Sequence, residues 1–167
     1  MAGGEAIEGE PIGRAPALRQ PQSVLFACRM NSIRSPMAAA IMRHFFRRLT
    51  YIASVGILKG EHDPFVDVVM AEIGIDMSTH QPMTFDELEE LEGLNFDLVI
   101  SLSPEAHHRA IELTRALSVD IEYWPTPEPD CQSGNREQCL SVYREVRDLL
   151  MQRVRERFVG VPASPAE

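Results

Sequence analysis

Cys28 and Arg34 stand five residues apart in the stretch CRMNSIRSP, which follows the apolar run SVLFA and ends on Ser35-Pro36. A cysteine thiolate is a strong nucleophile, and an arginine presents a planar fork of donors that matches two oxygens of a tetrahedral oxyanion. Five intervening residues suffice to curl backbone amides around such an anion, as a nest does. Ser35 in front of Pro36 reads as a cap and first position of a helix, whose N-terminus would add unpaired N–H groups and a positive dipole end. Such surroundings favour the thiolate form of a cysteine placed among them. The spacing alone recurs by chance, and a small buried cysteine with a solvated arginine would explain it as well. The context turns the balance towards chemistry: a buried strand ends just before the stretch and a helix starts just after it.

The elements around that loop follow from periodicity. Ser23 to Ala27 is a continuous apolar run, as expected of a central parallel strand covered on both faces. Met37, Ile41, Phe45 and Leu49 recur every fourth residue and predict one buried helical face. Tyr51 to Val55 reads as a second strand. Asp63-Pro64 opens a helix with Phe65, Val69 and Ile73 inward and Gly74 at its end. Thr84-Phe85-Asp86-Glu87 has the spacing of a capping box before a short acidic helix. Phe96 to Leu102 is the next strand, and Ser103-Pro104 starts a helix carrying Ala106, Ala110, Leu113 and Leu117. Val119 to Trp124 is a fourth strand. The loop PTPEPD then leads to a last helix with Tyr143, Val146, Leu150, Val154 and Phe158 on one stripe. Strands alternating with helices predict an α/β fold, an open sheet of about four parallel strands with helices on both faces. In such sheets ligands bind beyond the carboxyl ends of strands where strand order reverses, and the CRMNSIRSP loop occupies such an end. One domain is expected over residues 22–159, with a flexible extension over 1–21 and a flexible tail over 160–167.

Composition limits the partners. The 167 residues are 44% hydrophobic and 25% charged, and 16 basic against 25 acidic residues give a net charge of −9. That balance disfavours nucleic acid and anionic membrane surfaces, though it permits a local basic pocket. Three cysteines, Cys28, Cys131 and Cys139, suggest no disulfide framework and favour a reducing cytoplasm. No apolar signal core and no stretch long enough to span a bilayer are expected. His107 and His108 are neighbours that would point in different directions on a helix, so they read as solvated surface; neither a metal nor a cofactor is expected.

At this point the chain resembles the low-molecular-weight protein tyrosine phosphatases, whose relatives include thioredoxin-coupled arsenate reductases. Their loop reads C-x-G-N-x-C-R-S followed by Pro, and here it reads C-R-M-N-S-I-R-S-P. SVGI (54–57), Asp63-Pro64, GIDMSTH (74–80) and FDLVISLS (96–103) have counterparts in order, so the resemblance covers most of residues 22 to 150. It implies a flavodoxin-like three-layer fold and hydrolysis of phosphate monoesters through a phosphocysteine. It also implies a role for each matching residue. Cys28 corresponds to the nucleophile, Arg34 to the phosphate clamp and Ser35 to the hydroxyl that stabilises the leaving thiolate. Arg29, Met30, Asn31, Ser32, Ile33, Arg34 and Ser35 correspond to the phosphate-binding loop. Asn31, with Ser54 and His80 from neighbouring loops, corresponds to the network that holds the loop's curl. A phosphorylated protein or small phosphate ester is the implied partner, and inorganic phosphate, sulfate or arsenate would suit the same pocket.

Three departures accompany the resemblance. Met30 stands where the family has glycine, so it is expected to take the backbone conformation glycine takes there; Arg29 before it either adds positive potential at the rim or points into solvent. Ile33 replaces a second loop cysteine that can protect the nucleophile as a disulfide. The family's general acid, an Asp before Pro, corresponds to Glu128-Pro129, with Asp130 as the other candidate. The aromatic residues that follow the acid in the eukaryotic enzymes are absent, and Tyr123 and Trp124 read as core. Arsenate reduction, the main rival, needs two relay cysteines; Ser103 stands where one is needed, and Cys131 and Cys139 read as stray. A further alternative is a catalytically weak module that binds phosphate or phosphoprotein.

Overall fold

Along Ser23–Cys28 the side chains of Val24, Phe26 and Cys28 pack into one core while Leu25 and Ala27 pack into another. This alternation is the two-residue period of a strand covered on both faces. The computed structural model describes residues 21–46, 51–131 and 134–159. The expected extension therefore lies outside the described residues apart from Pro21, and so do Leu49 and the expected tail.

Four strands form one sheet: β1 (Ser23–Cys28), β2 (Tyr51–Gly56), β3 (Leu98–Ser101) and β4 (Asp120–Tyr123). All pairings are parallel and the spatial order is β2-β1-β3-β4. Helices α1 (Arg34–Phe46), α2 (Pro64–Ala71) and α5 (Arg136–Val154) contribute to the core that contains Cys28. Helices α3 (Phe85–Leu91) and α4 (Pro104–Leu113) contribute to the core on the other face. This is the expected three-layer flavodoxin-like α/β fold. The chain moves from β1 outward to β2, then returns past β1 to β3, so the winding reverses beside β1. Cys28 ends β1 at that switch point, paired in register with Gly56.

The caps explain where the helices start. Asp63 accepts from the Phe65 N–H, Thr84 and Glu87 form a reciprocal capping box, and Ser103 accepts from the Ala106 N–H. Each such cap is worth about 1 kcal/mol. The stripe Tyr143, Val146, Leu150, Val154 and Phe158 is buried along α5 and the turn that follows it. Two local expectations fail and a third holds in part. Ser35 does not cap: α1 begins at Arg34, and Ser35 turns its N–H to Cys28 Sγ at 3.4 Å. Phe45 is 39% exposed, with the Arg155 guanidinium over its ring. In α2 Val69 is buried as expected, Phe65 and Ile73 are partly buried against the same core, and Phe65 also lines the pocket described below; Val66 and Met70 are buried beside them. Among the described residues no helix is long and apolar enough to cross a membrane.

Candidate active site

The loop from Cys28 to Arg34 is shaped by its neighbour, the segment after β2. The Ile57 N–H bonds the carbonyls of Cys28 and Arg29, Leu58 bonds Arg29 again, and Gly60 bonds Met30. A trans peptide points its N–H opposite to its C=O, so these bonds turn the amides of Arg29, Met30 and Asn31 away from that segment. Gly56 and Gly60 allow the approach: a Cβ on Gly56 would lie 2.7 Å from the Asn31 nitrogen, and one on Gly60 would lie 2.3 Å from Ser32 Oγ. Among the described residues Asn31 alone, glycines apart, has a positive φ, at 57°. The left-handed position of the loop is thus Asn31, and Met30 does not take the conformation expected of it. Asparagine tolerates that region better than most side chains, which removes the need for glycine one residue earlier.

Asn31 is fully buried and ties four segments together. Its Nδ2 donates to Ser35 Oγ at 2.8 Å and to Ser54 Oγ at 3.0 Å, while its Oδ1 accepts from the Met83 N–H at 2.8 Å. His80 Nε2 donates to the Asn31 carbonyl at 2.9 Å. Burial lowers the pKa of His80, which keeps that ring neutral. Ser35 Oγ in turn lies 3.0 Å from Cys28 Sγ and 3.2 Å from the Val55 carbonyl.

The loop floors a pocket of about 440 Å³ lined by Cys28, Met30, Ser32, Ile33 and Arg34 below. Gly60 to Phe65 form one wall, and Glu128 and Tyr143 face them. Arg34, buried, donates from Nη1 to the Thr126 carbonyl at 2.9 Å, and its Nη2 lies 3.5 Å from Glu128 Oε1. Arg153 donates to the Pro125 carbonyl and Thr126 Oγ1, so two arginines hold the start of the PTPEPD loop. Asp130 is exposed and lies outside the pocket lining. Ser32 Oγ is buried without a hydrogen-bond partner. Arg29 points to the rim, 3.9 Å from Glu105. The Tyr143 hydroxyl donates to Asp63 Oδ2 at 2.7 Å, and burial together with that carboxylate raises its pKa. His62 bridges Asp67 and the His80 carbonyl, and its pKa is raised chiefly by the Asp67 hydrogen bond.

A family model described as low molecular weight phosphotyrosine protein phosphatase matches residues 23–162. The chain belongs to that family. The glutaredoxin arsenate reductase of Synechocystis sp. is 31% identical over 134 residues, which are 80% of this chain and 93% of that protein. A solved arsenate reductase in the phosphate-binding state is 26% identical and superposes with a TM-score of 0.62, over 84% of this chain and 98% of its own. A tyrosine phosphatase of Erwinia amylovora, 15% identical, shares the fold with a TM-score of 0.67 over 86% of this chain and 95% of its own.

Within this phosphotyrosine phosphatase-family domain, several residues fall where the sequence did not place them. Cys131 and Cys139 are not stray: they form a disulfide, with Cα atoms 4.8 Å apart. Their bond corrects the expectation that the two cysteines are stray and form no disulfide. His107 is not solvated; it is half-buried, stacks on Tyr123 with ring centroids 4.5 Å apart, and places Nδ1 3.2 Å from Ser101 Oγ. Trp124 is core, as expected, with its indole N–H on Glu122. Ile33 packs against the core from the loop. Sequence reasoning missed His62, Phe65, Thr126 and Tyr143 as pocket or clamp residues. Tyr143 lay within a stripe already explained as core, and Thr126 acts through its backbone, which no side-chain pattern announces.

Proposed function

We propose that this protein hydrolyses phosphate monoesters, on phosphotyrosine or another phosphoprotein, through a phosphocysteine on Cys28, and that it acts in the cytoplasm. The observation that carries the reading is the convergence of Cys28, Arg34 and Glu128 on one pocket, with the buried Ser35 hydroxyl on Cys28 Sγ. The amides of the 29–35 loop and the Arg34 fork bind the non-bridging oxygens, with the free Ser32 hydroxyl beside them. The Cys28 thiolate attacks phosphorus, and the P–O bond to the leaving group breaks as Glu128 gives that oxygen a proton. Water then attacks the phosphocysteine, Glu128 takes a proton from it, and the thiolate leaves towards the Ser35 hydroxyl. Asn31, Ser54 and His80 hold the curl. Position supports Glu128 over Asp130 as the acid, since Glu128 lines the pocket.

The test is hydrolysis of an aryl phosphate by the wild type, Cys28→Ser, Glu128→Gln and Asp130→Asn. Expected are turnover by the wild type, none by Cys28→Ser, and a fall of roughly 10²-fold or more in Glu128→Gln with Asp130→Asn near wild type, as for loss of a positioned acid. Absence of wild-type turnover would refute the reading and favour the phosphate-binding module.

Arsenate reduction is the second reading, favoured by the names of the curated relatives. It needs thiols that relay a disulfide away from Cys28. Cys131 and Cys139 would have to supply them, since Ser103 caps α4 at the position where the resemblance expects a relay cysteine. Arsenate consumption coupled to thioredoxin or glutaredoxin would establish it.

A further inference from the structure

We propose that Cys131 and Cys139 are a reversible dithiol–disulfide pair that controls the position of the acid loop. The inference rests on the reading of Glu128 as general acid. The loop is held at its start by Arg34 and Arg153 on Pro125 and Thr126. Beyond that, the disulfide ties Cys131, three residues after Glu128, to Cys139 in the first turns of α5. Glu128 and Asp130 therefore lie between two anchors, one formed by arginines and one by a covalent bond that redox chemistry can make or break.

The second anchor is coupled to the pocket itself. Cys139 is buried one helical turn before Tyr143, whose ring lines the pocket and whose hydroxyl holds Asp63 at the opposite wall. Cys131 packs from the loop onto the same core that contains Cys28, Cys139 and Tyr143. Closing the bond fixes the far end of the acid segment against the helix that forms the pocket wall. Opening it returns conformational freedom to that segment, which must then be ordered again before the acid can act. The curl of the Cys28 loop is held by Ser54, His80 and Met83 through Asn31, and only Arg34 touches both that loop and the acid segment. The disulfide form is accordingly the more active one for reactions that need the acid, opposite to the effect of oxidising Cys28.

Formation proceeds by exchange with a low-molecular-weight disulfide such as oxidised glutathione. One thiolate of the pair attacks the glutathione disulfide and expels one glutathione thiolate. The second then attacks the mixed disulfide and expels the other, so two thiols are oxidised and one disulfide is reduced to two thiols.

The experiment equilibrates the full chain in glutathione buffers of graded ratio, with phosphate present to shield Cys28, and maps disulfides by alkylation and mass spectrometry. Hydrolysis of a good and a poor leaving group is measured after rapid dilution, alongside hydrogen exchange over residues 126–131. The expected result is a Cys131–Cys139 bond, slower exchange in the oxidised form, and kcat for the poor leaving group about tenfold higher than in the reduced form. That is a fraction of what a positioned acid contributes. The good leaving group and inhibition by phosphate should change little. Cys131→Ala, and separately Cys139→Ala, should behave as the reduced wild type in every buffer. The proposal is overturned if no such bond forms, if exchange is indifferent to redox state, or if Cys131→Ala responds to the buffer as the wild type does. Absence of hydrolysis in both states would sink the phosphatase reading instead, while hydrogen exchange still reports the clamp.

Discussion

The Ser35 hydroxyl sits 3.0 Å from Cys28 Sγ and 3.2 Å from the Val55 carbonyl, and it accepts from Asn31 Nδ2 at 2.8 Å. Its acceptor side is thus engaged, and its one proton has two acceptors to choose between. In the proposed mechanism the proton would rest on Val55 while Cys28 is phosphorylated and swing to sulfur as the thiolate departs, without any movement of heavy atoms. Removing the hydroxyl should slow breakdown of the phosphoenzyme more than its formation. For Ser35→Ala we expect kcat to fall about 10²-fold, the usual cost of one preorganised donor. Rapid-mixing experiments should still show a burst of leaving group. A loss of the burst itself would place Ser35 in the first step.

Asn31 combines an unusual backbone with a saturated side chain, and two substitutions separate them. Asn31→Gly keeps the left-handed φ and loses the three side-chain hydrogen bonds. Asn31→Ala loses those bonds and adds left-handed strain of about 1–2 kcal/mol. Because the stranded partners include the buried Ser35 and the Met83 amide, each variant should lose about 2–4 kcal/mol through the missing bonds. Urea denaturation should therefore rank wild type above Asn31→Gly, and Asn31→Gly above Asn31→Ala. Equal stability of the two variants would show that strain at the φ of 57° is no larger than the extra conformational entropy glycine loses on folding.

The cup and the fold could be read from the sequence because both are local. Cys28, Arg34 and the elements flanking them lie within one strand–loop–helix unit, and apolar periodicity identifies its neighbours. Even there, the left-handed residue was misplaced by one, because a motif records which residue types occur and not which φ each takes. Phe65 and Tyr143 escaped because they meet across the pocket from α2 and α5, at a ring-centroid distance of 5.4 Å that no sequence interval encodes. Cys131 and Cys139 escaped for a related reason: a separation of eight residues does not encode a Cα distance of 4.8 Å. Side chains that serve the core on one side and the pocket on the other look like core alone when read by periodicity.

The loop network should carry a pH signature of its own. His80 has a pKa lowered by burial, so below an unfolded value of about 6.5 the unfolded chain binds the proton more readily than the folded one. Stability contributed by neutral His80 is complete above that value and is lost as pH falls towards the folded pKa. His62 works in the opposite sense: its raised pKa supplies stability that is complete below the unfolded value and is lost as pH rises through the folded one. The two signals therefore occupy opposite sides of about pH 6.5. Urea unfolding between pH 5 and 6.5 should show an acid-side loss that persists in His62→Asn and shrinks in His80→Gln to the part contributed by His107, whose pKa burial also lowers. An unchanged slope in His80→Gln would remove His80 from the titration.

Gly56 offers the sharpest separation of loop shape from fold. A Cβ there would meet the Asn31 nitrogen at 2.7 Å, the Leu58 oxygen at 2.7 Å and the Met30 carbonyl carbon at 2.8 Å. All three are backbone atoms, so no side chain can rotate away and the Cys28 loop must shift as a whole. Overpacking of this kind costs about 1–3 kcal/mol. The pairing of residues 51–55 with 23–27 does not depend on the displaced loop, so Gly56→Ala should still fold. Its amides would no longer converge on one oxyanion, and misplacement by a few tenths of an ångström to 1 Å lowers catalysis by up to about 10²-fold. We expect aryl phosphate turnover and inhibition by inorganic phosphate to weaken together while far-ultraviolet circular dichroism stays that of the wild type. Gly60→Ala is the control: its nearest clash is Ser32 Oγ, a side chain that can turn aside, so its loss should be smaller. If Gly56→Ala binds phosphate as the wild type does, the close approach of the two loops is not what shapes the cup.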